Sequence, residues 1–380
     1  MALNVAFLGY RFMGRAHANA LARLPMFFPN APETNRHTLI GQDESDLTES
    51  ADRLGFDSIS TDWEATVEND EIDVLYNLAP NFLHVEPSVR ALENDVHVIC
   101  EKPLANSLEG ADRMVEAAEH SAATAACAFN YRYVPAIQYA RNLIEAGELG
   151  EIHHVRANYL QDWLVDPESP WSWRLDEEMA GSGSLGDLGA HSLDLAQFLL
   201  GEDIARLSGH LKTFVEERPL PGESGDALDS AGAESTETRE VTVDDAYTAQ
   251  VEFENGAMGT FEASRFATGH ANANTIEING SKGSIKFDLE RLDELEVLTG
   301  DNRGFERVLL TDPDDPYMEN WWPAGHIIGW EHTFVHEDYE FLSAIDAGEP
   351  YHPSFEDAFQ VQELLAAIEE SDERGEWVEL

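Results

Sequence analysis

Three groups of residues in this 380-residue chain have the types and spacing to do chemistry. The first is Lys102 in Glu101-Lys102-Pro103, directly after the apolar run Val96 to Cys100. The chain has four lysines, and Lys102 stands alone until Lys212. An ammonium at the carboxyl end of a buried parallel strand can donate to a substrate oxygen or a carboxamide. The alternative is a surface lysine with no role. The second group is Gly186-Asp187-Leu188-Gly189-Ala190-His191, followed by Asp194. If the segment is helical from Gly186, then Asp187, His191 and Asp194 share a face, and an imidazole beside a carboxylate is a competent general base. Two readings compete with this one: an Asp and His at this spacing can share a metal ion, or they can be a first-turn charge and a packed imidazole. The third group is Gly9-Tyr10-Arg11-Phe12-Met13-Gly14, where glycines allow a tight turn and close approach of backbone to a pyrophosphate. Gly9 and Gly14 fit the outer glycine positions of a dinucleotide loop, and Arg11 takes the middle one, where a side chain either holds the phosphates farther from the backbone or meets them with its guanidinium.

The elements needed to position these groups are legible as period and punctuation. Apolar runs at Asn4 to Leu8, Thr38 to Gly41, Val74 to Leu78, Val96 to Cys100 and Thr124 to Phe129 alternate with helix-like segments. That alternation predicts a doubly wound parallel sheet over residues 1–129, the α/β class. Residues 130–380 predict an α+β domain on a large, mostly antiparallel sheet, with Asn255-Gly256 and Lys282-Gly283 as positive-φ turns. Within it, 216–245 carries ten acidic residues and two arginines without an apolar period, and reads as an acidic surface loop. The second strand of the first domain ends in Gly41-Gln42-Asp43, after a loop lengthened by Pro25 to His37. Asp43 is placed to accept from a ribose 2′-hydroxyl, which favours NAD, while Gly41 stands at the more usual acidic position and Arg36 leaves NADP open. His332 and His336 have metal-ligand spacing, yet Thr333-Phe334-Val335 between them offers no acidic partner, so a packing face and no metal are expected.

Composition excludes several partners. Asp and Glu total 74 against 23 Lys and Arg, a formal charge of −51, which repels nucleic acid and anionic membrane surfaces. The carboxylates recur along the whole length with 9% aromatics, a pattern that resembles cytoplasmic proteins of extreme halophiles and predicts a need for salt. Cys100 and Cys127 end apolar runs and read as buried thiols of a reducing cytoplasm. No leader or membrane span is visible.

Taken together, the glycine loop, Pro80-Asn81-Phe82-Leu83-His84, Glu101-Lys102-Pro103, Asn130-Tyr131-Arg132 and Gly186 to His191 resemble the Gfo/Idh/MocA oxidoreductase family. Trp173-Arg174 and Trp321-Trp322-Pro323-Ala324-Gly325-His326 are similar to a branch that oxidises a ring hydroxyl with NAD. The resemblance implies a Rossmann domain, a small sugar or cyclic polyol substrate, and dimers or tetramers formed through the second sheet. It implies cofactor contacts from Gly9, Arg11, Phe12, Met13, Gly14, Asp43, Pro80, Asn81, His84, Glu101 and Lys102. Lys102 then binds the reacting oxygen or the nicotinamide side, Asp187 holds substrate hydroxyls or the imidazole, and His191 takes the hydroxyl proton. Tyr131, Arg132, Trp163, Trp173, Arg174 and His326 are the expected substrate residues. A nicotinamide-dependent glycoside hydrolase and a nucleotide-sensing regulator are the alternatives.

Overall fold

Strand β1 (Leu3–Leu8) buries its last four residues and delivers the chain into the glycine loop. The computed structural model describes residues 2–221 and 237–380. Around β1 stand β2 (Thr34–Ile40), β3 (Ser58–Ser60), β4 (Val74–Asn77), β5 (His97–Glu101) and β6 (Ala125–Ala128), in the order β3-β2-β1-β4-β5-β6. All neighbours are parallel. Five helices cross between them: α1 (Phe12–Phe27), α2 (Glu44–Leu54), α3 (Trp63–Val67), α4 (Val85–Glu93) and α5 (Leu108–His120). Their starts are written in side chains, since Asp43, Asp62 and Ser107 accept from the amides of Asp46, Ala65 and Gly110. Cys100 and Cys127 pair in register on β5 and β6, buried and unbridged. The long loop expected before β2 is shorter than predicted. Helix α1 runs through Pro25, and β2 begins at Thr34, because pairing with β1 continues through its polar first half.

The second sheet is built from β7 (Ile152–Leu160), β8 (Ile204–Lys212), β11 (Ala246–Phe253), β12 (Met258–Ser264), β13 (Ala273–Gly280), β14 (Ser284–Asp288), β15 (Glu294–Leu298) and β16 (Glu306–Leu309), with a separate ribbon of β9 (Glu217–Pro219) and β10 (Thr238–Glu240). Every neighbouring pair in it is antiparallel except β7 with β12. One face packs on α6 (Pro135–Glu145) and α8 (Ala190–Leu200), and a short α7 (Glu177–Ala180) lies between them in sequence. Alternation is strict: Tyr247, Ala249, Val251 and Phe253 are buried, whereas Thr248 and Gln250 face out. Gly256 has φ +84° as its turn requires. Gly283 does not have the expected positive φ; it is glycine because a Cβ there would lie 2.6 Å from the Leu298 carbonyl oxygen.

Helices α9 (Glu331–Ala347) and α10 (Phe355–Arg374) and strand β17 (Val378–Glu379) close the chain, with β17 added beside β8. The chain divides into two units, Met1–Val134 with Thr311–Gln362, and Pro135–Leu310 with Glu363–Leu380. Residues 311–362, expected in the second domain, therefore belong with the first, where α9 packs on α1. The acidic segment is not a plain surface loop at its ends. β9 and β10 pair, Arg218 is fully buried, and Val241, Val243, Asp244 and Asp245 are buried. Its middle, 222–236, lies outside the described residues. Among the described residues, no helix is long and apolar enough to cross a membrane.

In the first unit, His17 of α1 is fully buried, with Nδ1 3.2 Å from Asp338 of α9 and Nε2 3.4 Å from Glu101 of β5. Phe7, Tyr76 and Phe334 edge onto its ring. Burial pushes the imidazole pKa down, but Asp338 and then Glu101 override it and raise it from 6.5 to about 10. Burial, with a smaller push from Glu101, also raises the Asp338 carboxyl, and the His17 imidazolium opposes that rise. A folded pKa above the unfolded one means that the native state binds the extra proton. The stabilisation is therefore complete below pH 6.5 and disappears as the pH rises through about 10. His17→Gln is expected to cost about 3 kcal/mol at neutral pH, as for loss of one partner of a buried ion pair. It should also flatten the alkaline fall in guanidinium midpoint between about pH 7 and pH 10. Wild type and variant falling in parallel would refute the ion triad.

Candidate active site

In the first unit, the glycine loop is a cradle of backbone. Gly9 has φ +110°, and a Cβ on it would sit 2.5 Å from the Leu78 carbonyl oxygen; one on Gly14 would sit 2.5 Å from the Gly9 oxygen. Helix α1 starts at Phe12 with no side-chain cap from Arg11, so the first-turn amides, including Phe12 and Met13, are left by the helix for an anion. These residues fit a dinucleotide pyrophosphate. The Arg11 guanidinium lies 2.8 Å from Asp46 on α2. Asp43 caps α2 through its carboxylate, with the Asp46 amide at 2.9 Å. Arg36 donates to the Leu54 carbonyl at 2.7 Å, at the far end of α2.

The loops after β4 and β5 belong to the same unit. Buried Asn77 donates to the carbonyls of Leu83 and His84, holding the turn that contains half-buried Pro80 and Asn81. His84 has no exposed surface. Its nitrogens lie 2.9 Å from the carbonyl oxygens of Pro103 and Ala79, so it ties the two loops together, and the expectation of direct cofactor contact fails for it on burial. Glu101 turns one oxygen to His17 and accepts the Lys102 amide at 3.2 Å with the other. The half-buried Lys102 therefore leaves a strand end anchored from beneath.

Tyr131 and Arg132 are buried in the same unit. Trp330 donates to the Tyr131 hydroxyl at 3.4 Å and stacks on Phe12 with centroids 5.4 Å apart, linking the glycine loop to an expected substrate residue. His326 is exposed on a loop, 2.7 Å from the Pro323 carbonyl oxygen. His336 accepts from the Trp321 indole at 2.7 Å through Nε2, which leaves its Nδ1 to donate to the Tyr133 carbonyl at 2.9 Å. Both nitrogens are in use, and burial pushes its pKa down to about 3.

In the second unit, the candidate acid–base residues lie at the start of α8. Residues Leu185–Gly189 form a π turn, so the single helical face expected from Gly186 onward is broken: the i→i+5 turn holds one residue more than an α turn. Asp187 is half-buried in that turn, and His191, 5% exposed, follows in the first turn of α8, with the Tyr159 ring 6.0 Å away. Asp194 is buried one turn further on.

What fixes this turn is Asp244, at the end of the acidic segment. Its carboxylate accepts the amides of Gly183 and Leu185 at 2.7 and 3.0 Å and the Ser184 hydroxyl at 2.5 Å, while its carbonyl accepts the Ser184 amide at 3.1 Å. A Cβ on Gly183 would lie 1.8 Å from that carbonyl oxygen, and one on Gly189 would lie 2.6 Å from the Tyr247 ring. The glycines thus admit a strand of the same chain. Arg265, fully buried, donates to the Asp244 carbonyl at 2.8 Å and sits over the Trp163 ring. Arg174 lies over Trp173. Trp163, Trp173 and Arg174 are all half-buried in this unit. His17, Asp338, Trp330, Asp244 and Arg265 had not been singled out for the site. Only His17, close behind the glycine loop, carried any signal in the sequence.

Comparison with known proteins gives a consistent picture. Residues 3–129 match the model of an oxidoreductase family with an NAD-binding Rossmann fold, and 137–286 match that of the GFO/IDH/MocA C-terminal domain. Levoglucosan dehydrogenase of Pseudarthrobacter phenanthrenivorans is 40% identical over 384 residues, spanning 100% of this chain and 98% of that protein. An oxidoreductase domain protein from Kribbella flavida superimposes with a TM-score of 0.94 at 44% identity, covering 100% of this chain and 99% of that one. A levoglucosan dehydrogenase structure in complex with NADH gives 0.93 at 39%, with coverages of 100% and 99%.

Asp244→Ala strands two buried amides and a hydroxyl, each costing about 1–3 kcal/mol, so a loss of at least about 3 kcal/mol is expected by denaturant unfolding. Ser184→Ala should cost about 1 kcal/mol. Equal losses in the two variants would show that the carboxylate does not clamp the turn.

Proposed function

The chain belongs to the Gfo/Idh/MocA oxidoreductase family, and on that premise we propose that it is an NAD-dependent dehydrogenase oxidising a ring hydroxyl of a sugar, anhydrosugar or cyclic polyol to the ketone. Gly9, Phe12, Met13 and Gly14 hold the pyrophosphate of the dinucleotide, with Pro80 and Asn81 beside it. NAD, once bound, supplies the hydride acceptor. The remaining work falls to this chain's own groups. The His191 imidazole takes the proton of the reacting hydroxyl, Asp187 orients that ring and stabilises its charged form, and the Lys102 ammonium donates to the same oxygen. Trp163, Trp173, Arg174, Tyr131, Arg132 and His326 decide which ring fits. The observation that most supports this reading is the placement of His191, nearly buried at the start of α8 beyond the π turn that carries Asp187.

A screen of pyranoses, anhydrosugars and inositols at high salt, with levoglucosan first, should show nicotinamide reduction with at least one of them. His191→Asn should lower kcat by at least about 100-fold, the scale of a lost general base, while NAD binding persists. Lys102→Ala should be comparably impaired. Wild-type turnover in either variant would overturn its role, and glycoside cleavage without net NADH would favour the hydrolase.

The reading includes self-association through the open face of the second sheet, where Arg156, Asn158, Thr248, Gln250, Thr260 and Glu262 point away from the helices. It also includes a halophilic requirement for salt. Sedimentation and near-ultraviolet circular dichroism across a salt series test both. A folded dimer or tetramer at molar salt that loses cooperative structure on desalting is expected, whereas a monomer, or a spectrum unchanged in dilute buffer, would refute the respective part.

A further inference from the structure

The rim at the carboxyl end of β2, where a doubly wound fold meets the adenosine ribose, is built here in an unusual way. Gly41 stands where an acidic side chain is ordinarily found, and the structure shows why it is glycine. A Cβ there would sit 2.4 Å from Tyr10 Cε1 and 2.9 Å from Leu47 Cδ1. Tyr10 is 9% exposed, and its buried ring occupies the space into which such a side chain would grow. Recognition is thereby displaced onto the first turn of α2, which presents Asp43, Glu44 and Asp46.

Arg11 faces these carboxylates. Its guanidinium lies 5.2 Å from the Tyr10 ring centroid and 2.8 Å from Asp46 Oδ2, with side chains 57% and 49% exposed. Arg36 is committed to the other end of α2, where it also packs against Gly55. A 2′-phosphate brought to this rim would meet three carboxylates and a guanidinium already neutralised by one of them. A 2′-hydroxyl would meet carboxylate acceptors, which it can satisfy as a donor.

We propose that Asp46, by holding Arg11, makes this rim select NAD over NADP, and that removing the Asp46 charge opens it to the 2′-phosphate. The inference rests on the glycine loop being the dinucleotide site and adds the residues that choose between the two nucleotides. Asp46 is half exposed and gives the α2 cap only its backbone amide, so its side chain can be replaced without touching the Asp43 cap. An exposed ion pair contributes little to stability, about 0–1 kcal/mol, so Asp46→Asn should fold.

The test is equilibrium binding of NAD+ and of NADP+ by calorimetry, at two salt concentrations because screening weakens the effect. In wild type, NAD+ should bind more tightly. In Asp46→Asn the ratio of the NADP+ to the NAD+ dissociation constant should fall by about tenfold, the size of one charge-assisted contact. Adding Arg11→Gln should return the ratio to its wild-type value, since the guanidinium no longer paired with Asp46 is what contacts the phosphate. An unchanged ratio in Asp46→Asn, equal shifts for both nucleotides, or a gain that survives loss of Arg11 would each overturn the inference and leave the dinucleotide site standing. Binding of neither nucleotide by the wild type would overturn both.

Discussion

A charged imidazole sealed between two carboxylates is the constraint around which the first unit is arranged. His17 belongs to α1, Glu101 to β5 and Asp338 to α9, so one ion triad joins the helix behind the glycine loop, the strand that carries Lys102 and a helix more than 200 residues further on. A buried charge is tolerated only when paired, and here the pairing obliges three distant segments to share one register. Phe7, Tyr76 and Phe334 exclude water from the triad, which strengthens each attraction and penalises any displacement. The start of the Lys102 loop is therefore fixed from below, through the Glu101 oxygen that accepts the Lys102 amide.

The second unit meets the same problem with the opposite charge. The turn bearing Asp187 begins with amides that no preceding helical turn can satisfy, and Asp244 satisfies them with a carboxylate while Arg265 secures its carbonyl. In both units the groups assigned to chemistry are ordinary in themselves. Their positions come from buried ionic or charge-assisted contacts to residues distant in the chain, and these contacts sit behind the surface that a substrate would touch.

Much of the architecture was legible because local pattern and tertiary demand agree. The alternation in Ile152–Leu160 and Met258–Ser264 marks those strands to the residue, and Val85–Glu93 is bounded as its apolar stripe suggests. The short β3 and the edge strands β16 and β17 have too few residues to establish a period, and pairing with neighbours creates them. The segments holding Lys102, Asp187 and His191 stand out in the sequence because glycines, a proline and apolar runs surround them. Asp244 does not, because an acidic residue inside an acidic stretch carries no contrast, and its role exists only when Gly183 to Leu185 is brought against it. The function of His84 was misjudged for a related reason: sequence shows that a histidine follows the Pro80 turn, but not that its ring faces inward to two carbonyls.

Gly183 leaves no room for a methyl group beside the Asp244 carbonyl, so the turn before α8 and the first residue of the strand pairing beyond it are effectively welded. In the proposed reaction, the His191 imidazole follows this joint directly and has no hinge of its own. Arg265 carries the same joint on to the Trp163 ring and the Arg174 carbonyl, so in the proposed reading the side chains that choose the ring and the group that takes its proton share one support.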